Sequence, residues 1–349
     1  MRALTVVPNQ PGSLRIEDVP DPVPGPNELL VDGISLGICG TDREIASGEY
    51  GWAPPGRERL ILGHESLGRV RGAPDGSGFA AGDLVVGIVR RPDPVPCGAC
   101  ARGEFDMCRN GRYVESGIKQ IDGFGSSAWV VPVDYAAKLD PSLAQVGVLM
   151  EPTAVVAKAW DQIEKINSRA WFDPKTVLVT GAGSIGLLAA MLGAQRGLDV
   201  HVLDRSTEGP KPGMVADLGG TFHTGSAAEV AEEIDADVVI EATGAAAVAL
   251  QAAEITNPGV IVCLLGVPSS GNDASVDVGA LNRNIVLDNA VVFGSVNANR
   301  HHYELAAESL TKADPRWLGR LITRRLPLER ALEAFDPGDH NEIKVVIDL

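Results

Sequence analysis

The segment TVLVTGAGSIG, residues 176–186, determines the fold of the second half of this 349-residue chain. Its first five residues are apolar or β-branched and predict a buried strand. Gly181, Gly183 and Gly186 follow in the GxGxxG pattern. Such glycines permit a tight turn, a close approach of the backbone to a pyrophosphate and close packing of helix on strand. The segment therefore predicts a βαβ unit that binds a dinucleotide at a helix N-terminus.

The residues after this loop extend the prediction to the adenosine end of the cofactor. A helix is expected over residues 187–196, then a strand over 199–203 that ends at Asp204. A carboxylate at that position accepts hydrogen bonds from ribose hydroxyls and repels a 2′-phosphate, which favours NAD. Arg205 could pair with a 2′-phosphate, so use of NADP as well stays open. The candidate cofactor contacts are Gly181, Gly183, Ser184, Ile185, Gly186, Asp204, Arg205, Gly266, Ser295 and Val296.

Hydrophobic patterning divides the chain into two domains of different character. Short apolar runs separated by Gly and Pro predict an irregular β-rich domain before residue 150, whereas strands alternate with helices after it. The final apolar strand, residues 343–347, is expected to return to the first domain. We therefore predict an α/β protein with a β-rich domain of residues 1–155 with 303–349, and a doubly wound parallel-sheet domain of residues 156–302.

Composition excludes several classes of partner. The net charge of −16 disfavours binding to nucleic acid or to an anionic membrane, both of which need basic patches. Residues 176–195 carry no charge and are long enough to span a bilayer, but their glycines fit a strand, turn and helix instead. The N-terminal apolar run is too short for a signal peptide. A cytoplasmic protein is expected.

Cysteine spacing points to metal binding. The chain has five cysteines, an odd number, and three of them fall within residues 97–108. This pattern indicates metal ligation rather than a disulfide framework.

A second set of candidate ligands lies upstream, in CGTD (residues 39–42) and GHE (residues 63–65). Alone, Cys39 would be taken for a small buried hydrophobe and His64-Glu65 for a polar pair in a turn. Together they offer a thiolate, an imidazole and a carboxylate, which suit zinc. Glu151 stands at the predicted domain boundary and adds a further acidic candidate.

The order Cys39, His64-Glu65, Glu151 and GxGxxG resembles the zinc-dependent medium-chain alcohol dehydrogenase superfamily over the whole chain. The resemblance implies a GroES-like β domain, a Rossmann domain and an active site between them. It also implies zinc bound by Cys39 and His64, with Glu65 and Glu151 binding directly or exchanging with water. A homodimer or homotetramer is implied, with residues 289–293 as a candidate interface strand.

A narrower resemblance is to the glucose 1-dehydrogenase, or aldose dehydrogenase, branch. Its motifs are ICGTDREI (38–45), VRRP (89–92), ESGI (115–118) and GSVN (294–297). The branch implies oxidation of an aldose at C1 to the lactone, with NAD(P) as acceptor. Alternatives within the superfamily are a polyol, cyclitol or simple-alcohol dehydrogenase, and outside enzymes an inactive binding protein. A zinc-free quinone reductase is disfavoured by the metal-ligand candidates.

The same resemblance assigns roles to individual side chains. Thr41, Glu115, Glu151 and Asn297 would contact sugar hydroxyls or the cofactor. Without it, Glu115 and Asn297 would be interpreted as ordinary polar residues on the protein surface. Thr41 lies two residues beyond a candidate zinc ligand, where its hydroxyl can relay a proton outwards. Glu65 and Glu151 complete the catalytic candidates.

The downstream cysteines resemble the structural zinc lobe of the superfamily, which has four cysteines. Cys97, Cys100 and Cys108 match the last three, but Pro94 occupies the first position. Proline has no ligating side chain. Asp93 could supply an oxygen as fourth ligand; otherwise the lobe is metal-free.

Overall fold

The structure, a computed structural model, describes residues 1–255, 257–267 and 276–349. Met1–Ala154 with Asn297–Leu349 forms one compact unit, and Val155–Val296 forms another. The sequence-based divisions fell after residues 155 and 302. Residues 297–302 belong to the first unit instead, where the Asn297 amide donates to Glu115 at 2.7 Å.

The strands of the described residues are short, and most have two to six residues. In chain order they are β1 (Arg2–Val6), β2 (Arg15–Asp18), β3 (Glu28–Ile38), β4 (Leu60–Ile61), β5 (Glu65–Gly72), β6 (Leu84–Gly87), β7 (Arg90–Arg91), β8 (Val114–Ser116), β9 (Gln120–Ile121), β10 (Ala128–Pro132), β11 (Ala136–Leu139), β12 (Thr176–Thr180), β13 (Asp199–Leu203), β14 (Thr221–His223), β15 (Val238–Glu241), β16 (Ile261–Leu264), β17 (Val291–Gly294), β18 (Ile322–Pro327) and β19 (Lys344–Asp348).

The α-helices lie mainly in the second unit and near the C-terminus. They are α1 (Gly40–Ser47), α2 (Met150–Asn167), α3 (Ser184–Gln195), α4 (Lys211–Asp217), α5 (Ala227–Glu233), α6 (Ala246–Glu254), α7 (Val278–Leu287), α8 (Arg300–Lys312) and α9 (Pro315–Leu321). In the part of the chain that the structure describes, none of the helices has the length and apolar character needed to cross a bilayer.

Strand β3 organises the first unit. It pairs antiparallel with β5, β10 and β19 inside a seven-stranded sheet. Its apolar residues Leu29, Val31 and Leu36 are completely buried in the core of this unit. Because β19 pairs with β3 at Val345 and Ile38, the C-terminal strand lies beside the residues that lead into Cys39.

The second unit is a six-stranded parallel sheet in the order β14-β13-β12-β15-β16-β17. Its apolar runs are buried on both faces, as parallel strands with helical crossovers require. The strand order reverses direction between β12 and β15, and ligands of doubly wound sheets bind at such a switch point. This architecture confirms the predicted α/β class, with a β-rich unit and a doubly wound parallel-sheet unit.

The glycine loop at this switch point is shaped by one close contact. Helix α3 begins at Ser184, three residues before the start expected from the sequence, so Gly186 lies in its first turn. A Cβ at Gly186 would lie 1.7 Å from the carbonyl oxygen of Gly181, whereas a Cβ at Gly183 would meet nothing within 4 Å. Gly186 is therefore required for the fold itself, and Gly183 leaves open space at the mouth of the loop.

We expect Gly186→Ala to lower the free energy of unfolding by at least about 1–3 kcal/mol, because the added methyl group cannot fit without moving α3 off β12. Thermal unfolding followed by circular dichroism measures the effect. Gly183→Ala is the matched control and should unfold at the wild-type temperature. Equal melting temperatures for Gly186→Ala and wild type would contradict the packing described here.

Candidate active site

Neighbouring strands bring the first set of candidate ligands together. Cys39 follows β3 and caps helix α1, while His64 immediately precedes β5 and Glu65 begins it. Because β3 and β5 pair with Gly37 opposite Glu65, the three side chains converge at one end of the strand pair. One ligand atom from each lies within 4.8 Å of the others, and Cys39 Sγ is 3.1 Å from His64 Nε2.

The carboxylate of Asp42 holds two of these residues. Its Oδ2 accepts the backbone N–H of Cys39 at 3.0 Å, as part of the α1 capping box, and its Oδ1 lies 3.3 Å from His64 Nδ1. Burial alone would raise the pKa of Asp42, but His64 and these contacts outweigh it and lower the pKa. Because Nδ1 of His64 faces Asp42, Nε2 is directed towards Cys39, the arrangement that metal-ligating histidines adopt. The sequence analysis quoted Asp42 within CGTD without giving it a role.

A buried cation faces Glu65. Lys344 Nζ donates to both carboxylate oxygens of Glu65, at 2.6 and 2.8 Å, and the two residues are 3% and 2% exposed. Burial would lower the pKa of Lys344, but Glu65 outweighs this effect and raises it. Removing one partner of such a buried pair typically costs about 3–5 kcal/mol. Lys344 was not among the predicted site residues, although a single cation within an apolar strand was the available signal.

Zinc fits this donor set. Thiolate, imidazole and carboxylate are its usual ligands. One atom of each lies within 4.8 Å of the others, and the two Glu65 oxygens also accept hydrogen bonds from Lys344. Glu151, in the first turn of α2, lies outside this group of ligand atoms. Burial raises its pKa to about 7, with Glu65 adding to the effect and His64 opposing it. Thr41 lies in the first turn of α1.

The downstream cysteines form a second cluster. The Sγ atoms of Cys97, Cys100 and Cys108 lie within 4.8 Å of one another, and Cys97 and Cys100 are 3.7 Å apart. Two thiolates on tetrahedral zinc, with Zn–S bonds of about 2.3 Å, stand about 3.8 Å apart. A hydrogen bond from the Arg109 N–H, with further backbone donors, lowers the pKa of Cys97 to about 6.

The structure does not bring Asp93 into this cluster. Its carboxylate accepts hydrogen bonds from the Val95 N–H, Asn110 and Arg112, at 2.8 to 3.0 Å. Asp93 as fourth ligand, the alternative to a metal-free lobe, gains no support from this geometry, because its carboxylate oxygens accept hydrogen bonds within the turn that it caps. Among the described residues, no fourth His, Cys, Asp or Glu joins the three cysteines.

Two of the four sugar-contact candidates, Glu115 and Asn297, contact each other. Glu115 is 5% exposed, so it is not a surface residue. Its Oε1 accepts hydrogen bonds from Arg90 Nε at 3.0 Å, Arg90 Nη2 at 2.9 Å and Asn297 Nδ2 at 2.7 Å. Asn297 adopts a left-handed backbone conformation, with φ of 65°, and its Oδ1 accepts the N–H of Ala298.

In the second unit, Asp204 joins the end of β13 to the glycine loop. Its Oδ2 accepts the Ala182 N–H at 2.7 Å and its Oδ1 the Ser206 N–H at 2.9 Å. Burial would raise the pKa of Asp204, but these hydrogen bonds and the nearby Lys211 lower it. Lys211 Nζ lies 3.4 Å from Asp204 Oδ2 and is buried, whereas Arg205 is exposed. Lys211 is a cation that the sequence analysis did not consider.

The carboxyl edge of the parallel sheet fits a dinucleotide. Thr180 Oγ1, Glu241 Oε2 and Ser295 Oγ are buried there at the ends of β12, β15 and β17, and none has a hydrogen-bond partner among the described residues. Buried polar atoms without partners are rare in folded proteins, and ligands commonly satisfy them. Gly183 faces open space in the same loop.

The remaining cofactor candidates lie around this edge. A Cβ at Gly266 would lie 2.3 Å from the Gly244 nitrogen, so Gly266 serves close backbone packing. The carbonyl of Val296 accepts a hydrogen bond from Lys158 at 2.9 Å, and its side chain is exposed. Ser184 and Ile185 form the first turn of α3.

We expect Asp42→Asn to weaken zinc binding by about 10- to 100-fold, the usual cost of losing a carboxylate that orients a metal-binding histidine. Competition with a chromophoric chelator measures the affinity directly and needs no turnover. Asp83→Asn is the matched control, because Asp83 also caps a turn and pairs with a cation, Lys138, in the same unit. Wild-type zinc affinity in Asp42→Asn would rule out the role assigned to this carboxylate.

Two family models match the chain. The model described as Alcohol dehydrogenase GroES-like domain matches residues 25–141, and that described as Glucose dehydrogenase C-terminus matches residues 144–349.

Individual relatives match over their full length. The glucose 1-dehydrogenases of Methanocella arvoryzae and Thermoproteus tenax are 37% and 40% identical, and each alignment covers 100% of this chain and 99% of the relative. The solved structure of Haloferax mediterranei glucose dehydrogenase in complex with NADP, Zn and gluconolactone superposes with a TM-score of 0.91 at 32% identity, covering 100% of this chain and 99% of that one. The chain therefore belongs to the glucose dehydrogenase branch of the zinc-dependent medium-chain alcohol dehydrogenase superfamily.

Proposed function

We propose that this protein is a zinc-dependent NAD(P) dehydrogenase that oxidises glucose or a closely related aldose at C1 and releases the lactone. The observation that carries the proposal is the convergence of Cys39, His64 and Glu65, with a buried carboxylate, Glu115, available for sugar hydroxyls in the same unit. The full-length similarity to glucose 1-dehydrogenases supports it.

The protein side chains prepare the reacting hydroxyl. Cys39 and His64 would hold the zinc ion, with Glu65 and Glu151 as carboxylate partners. The ion would supply Lewis acidity at the C1 hydroxyl, and a bound nicotinamide would supply the hydride acceptor. Asp42 fixes the orientation of the imidazole, and Lys344 balances the charge of Glu65. The hydroxyl of Thr41 relays the proton outwards.

Substrate choice follows from the polar groups that a sugar would satisfy. We assign Glu115 and Asn297 to sugar hydroxyls, with Thr41 and Glu151 nearer the reacting carbon. A site built to pair several hydroxyls leaves buried polar groups unpaired when a short alcohol binds, which discriminates by about 10⁴-fold. An aldose is therefore favoured over ethanol.

The three-cysteine cluster is assigned to a structural zinc. The sulfur spacing and the lowered pKa of Cys97 support thiolate ligation, and a water molecule or another exogenous donor would complete the tetrahedron.

Assembly and location complete the proposal. Strand β17 is an edge of the parallel sheet, and among the described strands it pairs with β16 alone, so its other side is free to pair with a second copy. We infer a homodimer or homotetramer built on this edge. The five free cysteines, three of them clustered, favour a reducing cytoplasm.

A substrate panel tests the function. We expect glucose, galactose or a close relative to give the highest kcat/KM, and ethanol and polyols to be poor, in an assay of nicotinamide absorbance. Glu115→Ala should raise the KM for the sugar far more than that for the cofactor. The matched control is Glu104→Ala, an exposed glutamate of the same unit. A polyol or simple alcohol that exceeds every aldose would overturn the assignment.

Cofactor choice is tested at Asp204. We expect wild type to use NAD at least as well as NADP, because an ionised Asp204 repels the 2′-phosphate. Asp204→Ala should shift the ratio of kcat/KM values towards NADP, since it frees Lys211 and leaves Arg205 unopposed. Asp199→Ala, at the other end of β13, should leave the ratio unchanged. A wild-type preference for NADP would show that attraction of the 2′-phosphate by Lys211 and Arg205 outweighs its repulsion by Asp204.

A further inference from the structure

We propose that Arg90 is a positioning residue for the sugar, which occupies one oxygen of Glu115 and leaves the other for a substrate hydroxyl. The inference rests on the proposed function and adds to it a residue that touches no substrate atom. Arg90 acts through the orientation and charge of Glu115.

The two oxygens of Glu115 have different surroundings. Oε1 accepts three hydrogen bonds, two from Arg90 and one from Asn297, at 2.7 to 3.0 Å. A carboxylate oxygen has two lone pairs, so three donors saturate it. Among the residues that the structure describes, none donates to Oε2. Oε2 is therefore the oxygen of Glu115 that is left to accept a hydrogen bond from a ligand.

Arg90 is itself fixed on two further sides. Its Nη1 donates to the backbone carbonyl of Asp106 at 2.7 Å, and its guanidinium carbon lies 3.8 Å from the centre of the Tyr113 ring. Arg90 is 7% exposed. A planar guanidinium held at its edge and its face cannot turn, so it orients the carboxylate that it binds.

Asp106, whose carbonyl accepts a hydrogen bond from Arg90, is itself held by the segment before α8. Asp106 lies between Cys100 and Cys108, and its Oδ1 accepts a hydrogen bond from Asn299 Nδ2 at 2.7 Å. The backbone N–H of Asn299 donates to His302 Nδ1 at 3.1 Å. Asn297 and Asn299, two residues apart, thus donate hydrogen bonds to Glu115 and to Asp106. Because Arg90 also contacts both Glu115 and Asp106, the same short segment supports the arginine and its carboxylate.

Loss of the guanidinium has a defined consequence. A buried carboxylate without its cation either turns towards water or takes up a proton, and both changes alter the acceptor presented to the sugar. A misplacement of about 1 Å in a positioning contact costs about 100-fold in rate. Lysine keeps the charge but cannot make two parallel hydrogen bonds, so it should restore only part of the function.

A double-mutant cycle tests the inference. Arg90→Met should reduce kcat/KM for glucose by about 10- to 100-fold, mainly through the KM for the sugar, and leave the KM for the cofactor within about twofold of wild type. Arg90→Lys should lie between Arg90→Met and wild type. In the Glu115→Ala background, Arg90→Met should have no further effect, because the arginine acts only through that carboxylate.

A variant of a second arginine separates loss of stability from loss of sugar positioning. Arg59 is a partly buried arginine of the same unit that pairs with Glu17, and Arg59→Met should lower the melting temperature without changing sugar KM. If Arg90→Met fails to fold, Arg90→Lys and Glu115→Gln complete the cycle. Multiplicative losses in the double variant, or equal losses in sugar and cofactor KM, would overturn the positioning role. An active wild type with an unaffected Arg90→Met overturns this inference alone, whereas a wild type that oxidises no aldose overturns the proposed function and this inference with it.

Discussion

The buried carboxylate of Asp42 connects backbone geometry to metal chemistry in the first unit. One oxygen accepts the N–H of Cys39 and so fixes the start of α1, and the other faces His64 and directs the opposite ring nitrogen towards the thiol. A capping interaction thereby sets the position of one candidate ligand, Cys39, and the same carboxylate orients another, His64. Strand β19 then supplies Lys344, which balances Glu65 beside them.

Two buried carboxylates of the first unit are each paired with a buried cation. Glu65 is paired with Lys344 and Glu115 with Arg90, and in both pairs the cation comes from a different strand. Such pairs add little net stability, but the cation holds the carboxylate in a fixed orientation. The Rossmann unit differs, since it leaves polar atoms at the carboxyl edge of its sheet without partners and packs apolar strands behind them. The polar groups of the first unit suit a metal ion and sugar hydroxyls, and those at the sheet edge of the second unit suit a dinucleotide.

Sequence motifs predict the structural features that are determined by residues adjacent in the chain. GAGSIG after an apolar strand predicts the turn between β12 and α3, and the order of the motifs predicts the fold class and family, both of which are confirmed. Lys344 and Lys211 were missed because their partners are set by strand pairing and loop folding rather than by spacing. The carboxylate of Asp93, beside the missing cysteine position, caps its own turn, which its place in the sequence did not indicate. The ligand and sugar roles of the individual residues stay predictions.

Zinc content measured together with activity tests the central claim most directly. The wild type, Cys39→Ser and Cys108→Ser should be compared by elemental analysis and by glucose-dependent reduction of NAD and NADP. Cys39→Ser should lose zinc relative to wild type and lose turnover, because Cys39 is proposed as a ligand of the catalytic ion. Cys108→Ser should retain the zinc held by Cys39 and His64. Full zinc content with normal glucose oxidation in Cys39→Ser would contradict the account.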